Sequence, residues 1–313
     1  MRLIKLLLAL LPLALLIAPV DAAEAKPATS PPAVLVTGAS TGIGRKLTEH
    51  LAGKGYFVYA GARKQADLDA LNAIKNVQAL RLDVTRQEDV DAAVATIRQS
   101  GRGLYALVNN AGIATVGSVA DTSMQEFDLL MQVNVYGVFR VTKAIAPLLL
   151  ANEGEHKGRI TTISSLSGIV APRDLSAYAM SKHAMEAFGD SLALQLEPQG
   201  VLVSLIEPGN YDTDIGKSAT QRTGVDTRMA DRSRFKKPDE VAAAVELALF
   251  EPKPKRRYLV VPEQREAEIT VRKQLEQLVQ LNEDHPYTYK RDELIKMLDE
   301  ALAKTRPTRP AQP

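Results

Sequence analysis

Tyr178 and Lys182, in the run Tyr178-Ala179-Met180-Ser181-Lys182, stand four positions apart. On a helix that spacing puts both on one face, about 6 Å apart along the axis. An ammonium held beside a phenol stabilises the phenolate. Bringing a tyrosine from its ordinary pKa near 10 toward neutrality takes about 4 kcal/mol of differential stabilisation, a plausible demand in a partly dry pocket with a second positive charge nearby. Tyr178 would then serve as the acid and base of a proton transfer. Taken alone, the pattern also fits an exposed pair on a solvated face, so its company matters. Ser165 lies thirteen residues earlier, at the end of an apolar run that reads as a strand, with Gly168 in the loop beyond. A hydroxyl there can hydrogen-bond a reacting oxygen while Tyr178 moves its proton. Ser164 competes for that role, because neighbouring strand residues point to opposite faces. Asn134 is a polar residue inside an otherwise apolar helical run. It reads either as a satisfied core amide or as a helix distortion that orders a water for proton relay to Lys182.

A second group of residues suits a dinucleotide. The apolar run Ala33 to Thr37 leads straight into Gly38-Ala39-Ser40-Thr41-Gly42-Ile43-Gly44, where a helix begins. Gly38 permits the tight turn, Gly42 lets the backbone approach a pyrophosphate, and Gly44 lets the helix pack closely on the strand. The helix N-terminus then faces negative charge, with Ser40, Thr41 and Ile43 in the cradle. A strand before and a helix after are the context this reading needs. Arg63 follows the second apolar run; an acidic residue there would favour NAD, whereas arginine accommodates a 2′-phosphate. NADP(H) is therefore the preferred cofactor and NAD(H) the alternative, with Arg45 and Lys64 as further basic neighbours. Asp83, followed by Val84, closes the third run and is placed for the adenine edge, or for a helix cap. Asn109-Asn110-Ala111-Gly112 ends the fourth run, where an amide could hold the sheet edge and the adenosine side of the cofactor.

These groups need a scaffold that brings strand ends together. Apolar runs at 33–37, 56–60, 77–84, 104–110, 159–165, 201–208 and 257–261 alternate with amphipathic stretches such as 89–99, where Val90, Val94 and Ile97 share a face. Strands apolar throughout and separated by helices argue for an α/β, doubly wound, Rossmann-type parallel sheet of about seven strands, with its ligand at the carboxyl ends. A catalytic domain over residues 33–262 and a C-terminal helical extension over 263–313 are expected, with helices near 264–282 and 291–304. The chain has 313 residues, 39 basic and 37 acidic, for a net charge of +2, and no cysteine. That balance gives no reason to expect nucleic acid, and it excludes disulfides, thiolate nucleophiles and Cys-ligated zinc. Four scattered histidines make a metal site unexpected.

The N-terminus reads differently. Arg2 and Lys5 precede an apolar stretch from Leu6 to Ala18, followed by Ala22, Ala23 and Ala25. Residues 1–25 have the layout of an export signal, with a membrane anchor as the alternative, and Lys26 to Pro32 reads as a linker. Export, to the periplasm in a bacterium, or anchoring to a membrane follows.

Residues 33 to about 261 resemble a short-chain dehydrogenase/reductase. The resemblance rests on TGASTGIG (37–44), NNAG (109–112), Asn134, Ser165, YAMSK (178–182) and Pro208-Gly209-x-x-x-Thr213, in that order. It implies a Ser165–Tyr178–Lys182 triad supported by Asn134, with Pro208, Gly209 and Thr213 positioning the nicotinamide. It also implies hydride transfer between the cofactor and an alcohol or carbonyl substrate. The stretches 103–112 and 206–211 look more specifically like the retinol, hydroxysteroid and 3-hydroxybutyrate dehydrogenase branch, although Arg63 is unlike the NAD-using members. A homodimer or homotetramer is expected. The polar segment Asn210 to Lys237 holds six basic and two acidic residues from Arg222 onward. It reads as a solvated lid, with an anionic substrate or lipid contact as the sharper alternative. Rival readings are a nucleotide-binding sensor without turnover and a membrane-surface protein.

Overall fold

All seven apolar runs become strands: β1 (Ala33–Val36), β2 (Phe57–Ala62), β3 (Val77–Arg81), β4 (Ala106–Asn109), β5 (Gly158–Ile163), β6 (Val201–Pro208) and β7 (Arg257–Val260). The computed structural model describes residues 32–154, 157–224 and 231–304; segment 1–25 and all but the last residue of the linker 26–32 lie outside them. The strands pair in parallel in the order β3-β2-β1-β4-β5-β6-β7. From β1 the chain steps outward to β3, then returns to lay β4 on the other side of β1. The reversal opens a crevice at the carboxyl ends of these two strands.

Period-2 alternation within each strand divides the core into two layers. Val34, Val36, Ala106 and Val108 face α1 (Gly42–Gly53), α2 (Gln65–Asn72) and α8 (Asp239–Phe250). Ala33, Leu35 and Leu107 face α3 (Gln87–Gln99), α5 (Val138–Leu150) and α6 (Ser176–Leu196). Burying one such aliphatic side chain stabilises by about 1.5–3 kcal/mol, so a strand buried on both faces is held strongly in register. The helices follow their sequence logic. α3 buries Val90, Ala93 and Ile97 and carries Glu88 and Asp89 in its first turn, where the helix dipole favours acids. Ser123 caps α4 (Met124–Met131) by accepting from the Glu126 amide at 3.2 Å.

Five strands stop short of their apolar runs, and in three of them the shortfall moves a predicted site residue off the strand. β3 ends at Arg81, β4 at Asn109 and β5 at Ile163, so Asp83, Asn110 and Ser165 sit in the loops just beyond. Ser165, expected as the last residue of its strand, instead caps a single 3-10 turn over Leu166–Gly168. Between α4 and α5 the helix widens into a π turn over Gln132–Gly137, which contains Asn134. Among the described residues, Met124–Leu150 is the one helix long and apolar enough to cross a membrane. Its α5 portion buries Val141, Ile145 and Leu149 in the core. After β7 come α9 (Gln264–Leu281) and α10 (Arg291–Lys304), matching the expected helical extension. Another short helix, α7 (Ile215–Thr223), precedes α8.

Candidate active site

A cleft of about 480 Å³ occupies the crevice between β1 and β4. One end is built by the glycine turn. Gly38 has φ +64°, and a Cβ there would come within 2.8 Å of the Ala111 Cα. At Gly44 a Cβ would fall 2.3 Å from both the Gly38 carbonyl oxygen and Asn110 Nδ2. Neither position can carry a side chain without moving backbone. Two hydrogen-bond systems fasten this turn to the end of β4. Thr37 Oγ1 accepts from the amides of Asn110 and Ala111 at 3.0 Å each. Asn110 Nδ2 donates to the carbonyls of Thr37 (2.8 Å) and Gly38 (3.0 Å). Asn110 is thus a brace between the two loops at the sheet edge.

Ser40, Thr41, Gly42, Ile43 and Gly44, the turn and start of α1, line the cleft. The first turn of α1 holds no acidic residue, and Thr41 makes no side-chain cap, so its N–H groups face the cleft unscreened. Arg63, just past β2, also lines the cleft; its guanidinium is mostly exposed and only 4.0 Å from Asp83. Arg45 is turned to Glu49 at 2.6 Å, and neither it nor Lys64 reaches the wall. Asp83 accepts from the amide (2.9 Å) and hydroxyl (2.7 Å) of Thr85. Those bonds and the nearby Arg63 and Arg86 hold its carboxyl below the ordinary carboxylate range despite burial. Val84, Ala111 and Gly112 complete this end, and Pro208, the last residue of β6, lines the cleft with Gly209 and Thr213 beyond it.

The other end carries the hydroxyls and amine. Tyr178, in the first turn of α6, and Lys182, one turn on, are both buried and both line the cleft with Ser165. Lys182 Nζ lies 5.7 Å from the Tyr178 ring centroid and donates to the Ile163 carbonyl at 2.9 Å. Burial lowers its pKa to about 8, against an opposing pull from Glu186. Burial also pushes the Tyr178 phenol above its ordinary value, while hydrogen bonding with Ser165 and the charge of Arg232 pull it back. Arg232, a residue that sequence reasoning counted only as part of a solvated basic segment, is therefore a second cation acting on Tyr178, besides Lys182 over its ring. Ser165 Oγ accepts from the Ser167 amide at 3.1 Å. The competing Ser164 hydroxyl is buried without a hydrogen-bond partner among the described residues.

Of the four predicted catalytic residues, Asn134 alone does not reach the cleft wall. Its Oδ1 accepts from the Ile113 amide (2.9 Å), and its Nδ2 donates to the Ile113 carbonyl (2.9 Å) and to Ser181 Oγ (3.0 Å). The amide is a clasp between the loop after β4 and α6, fixing Lys182 relative to Gly112. Behind Lys182, Glu186 and the β6 residue Glu207 share the Arg257 guanidinium, at 3.1 and 3.3 Å. Glu266 of α9 also lines the cleft, accepting from Asn210 Nδ2 at 2.5 Å. No local signal marked Glu266, because its placement depends on how α9 returns over β6.

The family model described as short chain dehydrogenase matches residues 32–224. The mitochondrial D-beta-hydroxybutyrate dehydrogenase of Rattus norvegicus is 40% identical over 194 residues, 59% of this chain and 55% of that protein. The chain thus aligns with only about half the length of that relative. The NADPH-dependent 3-dehydrocapnine reductase of Ornithobacterium rhinotracheale is 33% identical over 250 residues, covering 73% of this chain and 87% of the relative. A short-chain dehydrogenase structure from Streptomyces avermitilis superposes with a TM-score of 0.69 at 28% identity, covering 88% of this chain and all of that one. The chain belongs to the short-chain dehydrogenase family.

Proposed function

We propose that this protein is an oxidoreductase moving a hydride between NADP(H), with NAD(H) as the alternative, and an alcohol or carbonyl substrate. The carrying observation is that Ser165, Tyr178 and Lys182 line the same cleft as the glycine turn. Names among the relatives, a dehydrogenase of a hydroxy acid and an NADPH-dependent reductase, support the same chemistry. The residues present fit a dinucleotide: two glycines without room for a Cβ, a helix start without acidic residues, and Arg63 available for a 2′-phosphate.

Gly38 to Gly44, Asp83, Asn110 to Gly112, Pro208, Gly209 and Thr213 would hold the cofactor, which when bound supplies or accepts the hydride. Ser165 orients the substrate oxygen. Tyr178 gives its phenolic proton to a carbonyl oxygen, or takes the alcohol's proton in the reverse direction. Lys182 holds positive charge beside the phenolate as it forms, and Asn134 positions the lysine through Ser181 and Ile113. NADPH oxidation against a carbonyl panel tests this reading. Tyr178→Phe should lower kcat by about 10²–10⁴-fold, the usual value of general acid catalysis, with NADPH affinity nearly unchanged. Substantial residual turnover in that variant would reject the assignment of Tyr178. A wild-type protein that binds NADPH yet reduces nothing would be a sensor instead.

A further inference from the structure

One buried cation in this cleft moves neither the proton nor the hydride of that chemistry. Arg232 follows the segment after α7, is only 7% exposed and lines the cleft together with Tyr178. Its Nε donates to the Tyr211 carbonyl at 2.8 Å and its Nη2 to Asn210 Oδ1 at 3.1 Å, while its guanidinium lies 5.0 Å from the Phe235 ring centroid. Among the described residues no carboxylate pairs with it. Glu266, whose charge it senses along with that of Asp212, is joined to it through the Asn210 amide, which accepts from Arg232 and donates to Glu266. Arg222, which lines the same cleft, is occupied by contrast. It donates to the carbonyls of Ala114 (2.6 Å) and Ser218 (3.1 Å), and its Nε is 3.6 Å from Glu126. A guanidinium withdrawn from water without a directly paired anion is costly to keep, and an arriving anion relieves that cost. Leu166, Val170, Pro172, Leu175 and Ile269 line the same cleft and offer an apolar wall for the remainder of a ligand.

We propose that Arg232 binds the carboxylate of the substrate, so that the substrate class is a hydroxy acid or its oxo acid, with the reacting oxygen at Tyr178. This rests on the oxidoreductase reading above. The discriminating experiment compares kcat/KM for matched pairs that differ only in charge: acetoacetate with acetoacetamide, and 3-oxooctanoate with 3-oxooctanamide. A charge-assisted bond in a sheltered site corresponds to a preference of about 10- to 100-fold for the acid, expressed mainly in KM. Arg232→Leu should bring that ratio close to one, and Arg232→Lys should keep part of it. The ratio is the readout because Arg232 also acts on the Tyr178 phenol, so the variants alter turnover of both members of a pair. Should the leucine variant fail to fold, the wild type decides by inhibition: butanoate should compete with the substrate at least about 10-fold more strongly than butanamide. Amides reduced as well as acids by the wild type, or an acid preference intact in Arg232→Leu, overturns the proposal and leaves the oxidoreductase reading standing. Reduction of no carbonyl at all overturns both.

Discussion

Gly44→Ala and Gly53→Ala place the same methyl group at the two ends of α1 and should have opposite consequences. At Gly53 a Cβ meets nothing within 4 Å. Alanine there restricts the unfolded chain and favours the helix, for a gain of about 0.5–1 kcal/mol. At Gly44 the added atom lies 2.3 Å from the Gly38 oxygen and from Asn110 Nδ2, more than 1 Å inside ordinary contact. Neither neighbour has an easy escape. The Gly38 carbonyl belongs to a turn with φ +64°, and Asn110 Nδ2 is tied to two carbonyls at 2.8 and 3.0 Å. Relief requires lifting the start of α1 or breaking both Asn110 bonds. Overpacking of about 1–3 kcal/mol and two hydrogen bonds at about 1 kcal/mol each, less the helix gain, leave a net loss of about 2–4 kcal/mol. In a domain of this size that is about 5–15 °C in Tm. Thermal melting measures the loss, and titration of NADPH fluorescence should show binding weakened in Gly44→Ala alone. A Gly44→Ala protein that melts and binds like Gly53→Ala would show that the turn is not closed as described.

Three further outcomes follow from the site. Arg63→Asp should raise the KM for NADPH by about 10-fold or more, through loss of one charged contact to phosphate, while the KM for NADH stays level or falls; steady-state kinetics with both cofactors check this. Asn134→Asp keeps the shape and the acceptor but loses the donors to Ile113 and Ser181, so it should melt lower by several degrees and lose NADPH turnover more than a surface substitution does. Glu207 is raised to about 8, by burial first and by neighbouring Glu186. Its neutral form therefore contributes stability that is fully present below the ordinary carboxylate pKa and is lost as pH rises through about 8. Glu207→Gln, neutral at every pH, should accordingly gain stability relative to the wild type between about pH 5 and pH 8. A melting-temperature difference that stays flat or moves the other way over that range would refute the assignment.

Local pattern determined much of this protein. Continuous apolar runs spaced by amphipathic stretches specify a parallel sheet, because strands buried on both faces have no polar face to show. The glycine turn and the Tyr178–Lys182 pair each lie within a few residues on one element, so periodicity alone places them relative to one another. The helix distortion at Asn134 was also visible, as an amide inside an apolar helix. Its partners were not, because Ile113 and Ser181 lie 21 and 47 positions away and only the packed loop and α6 bring them near. Nor could composition show where strand pairing stops, which left Ser165 in a 3-10 turn and not in β5. Arg232 is the clearest case. In sequence it is one basic residue among six in a polar segment, and folding makes it a buried cation in the cleft that Tyr178 lines. Burial and the proximity of charges are long-range properties set by tertiary contacts. The elements and their order could therefore be read from the chain, while the electrostatics of the cleft belong to the folded structure.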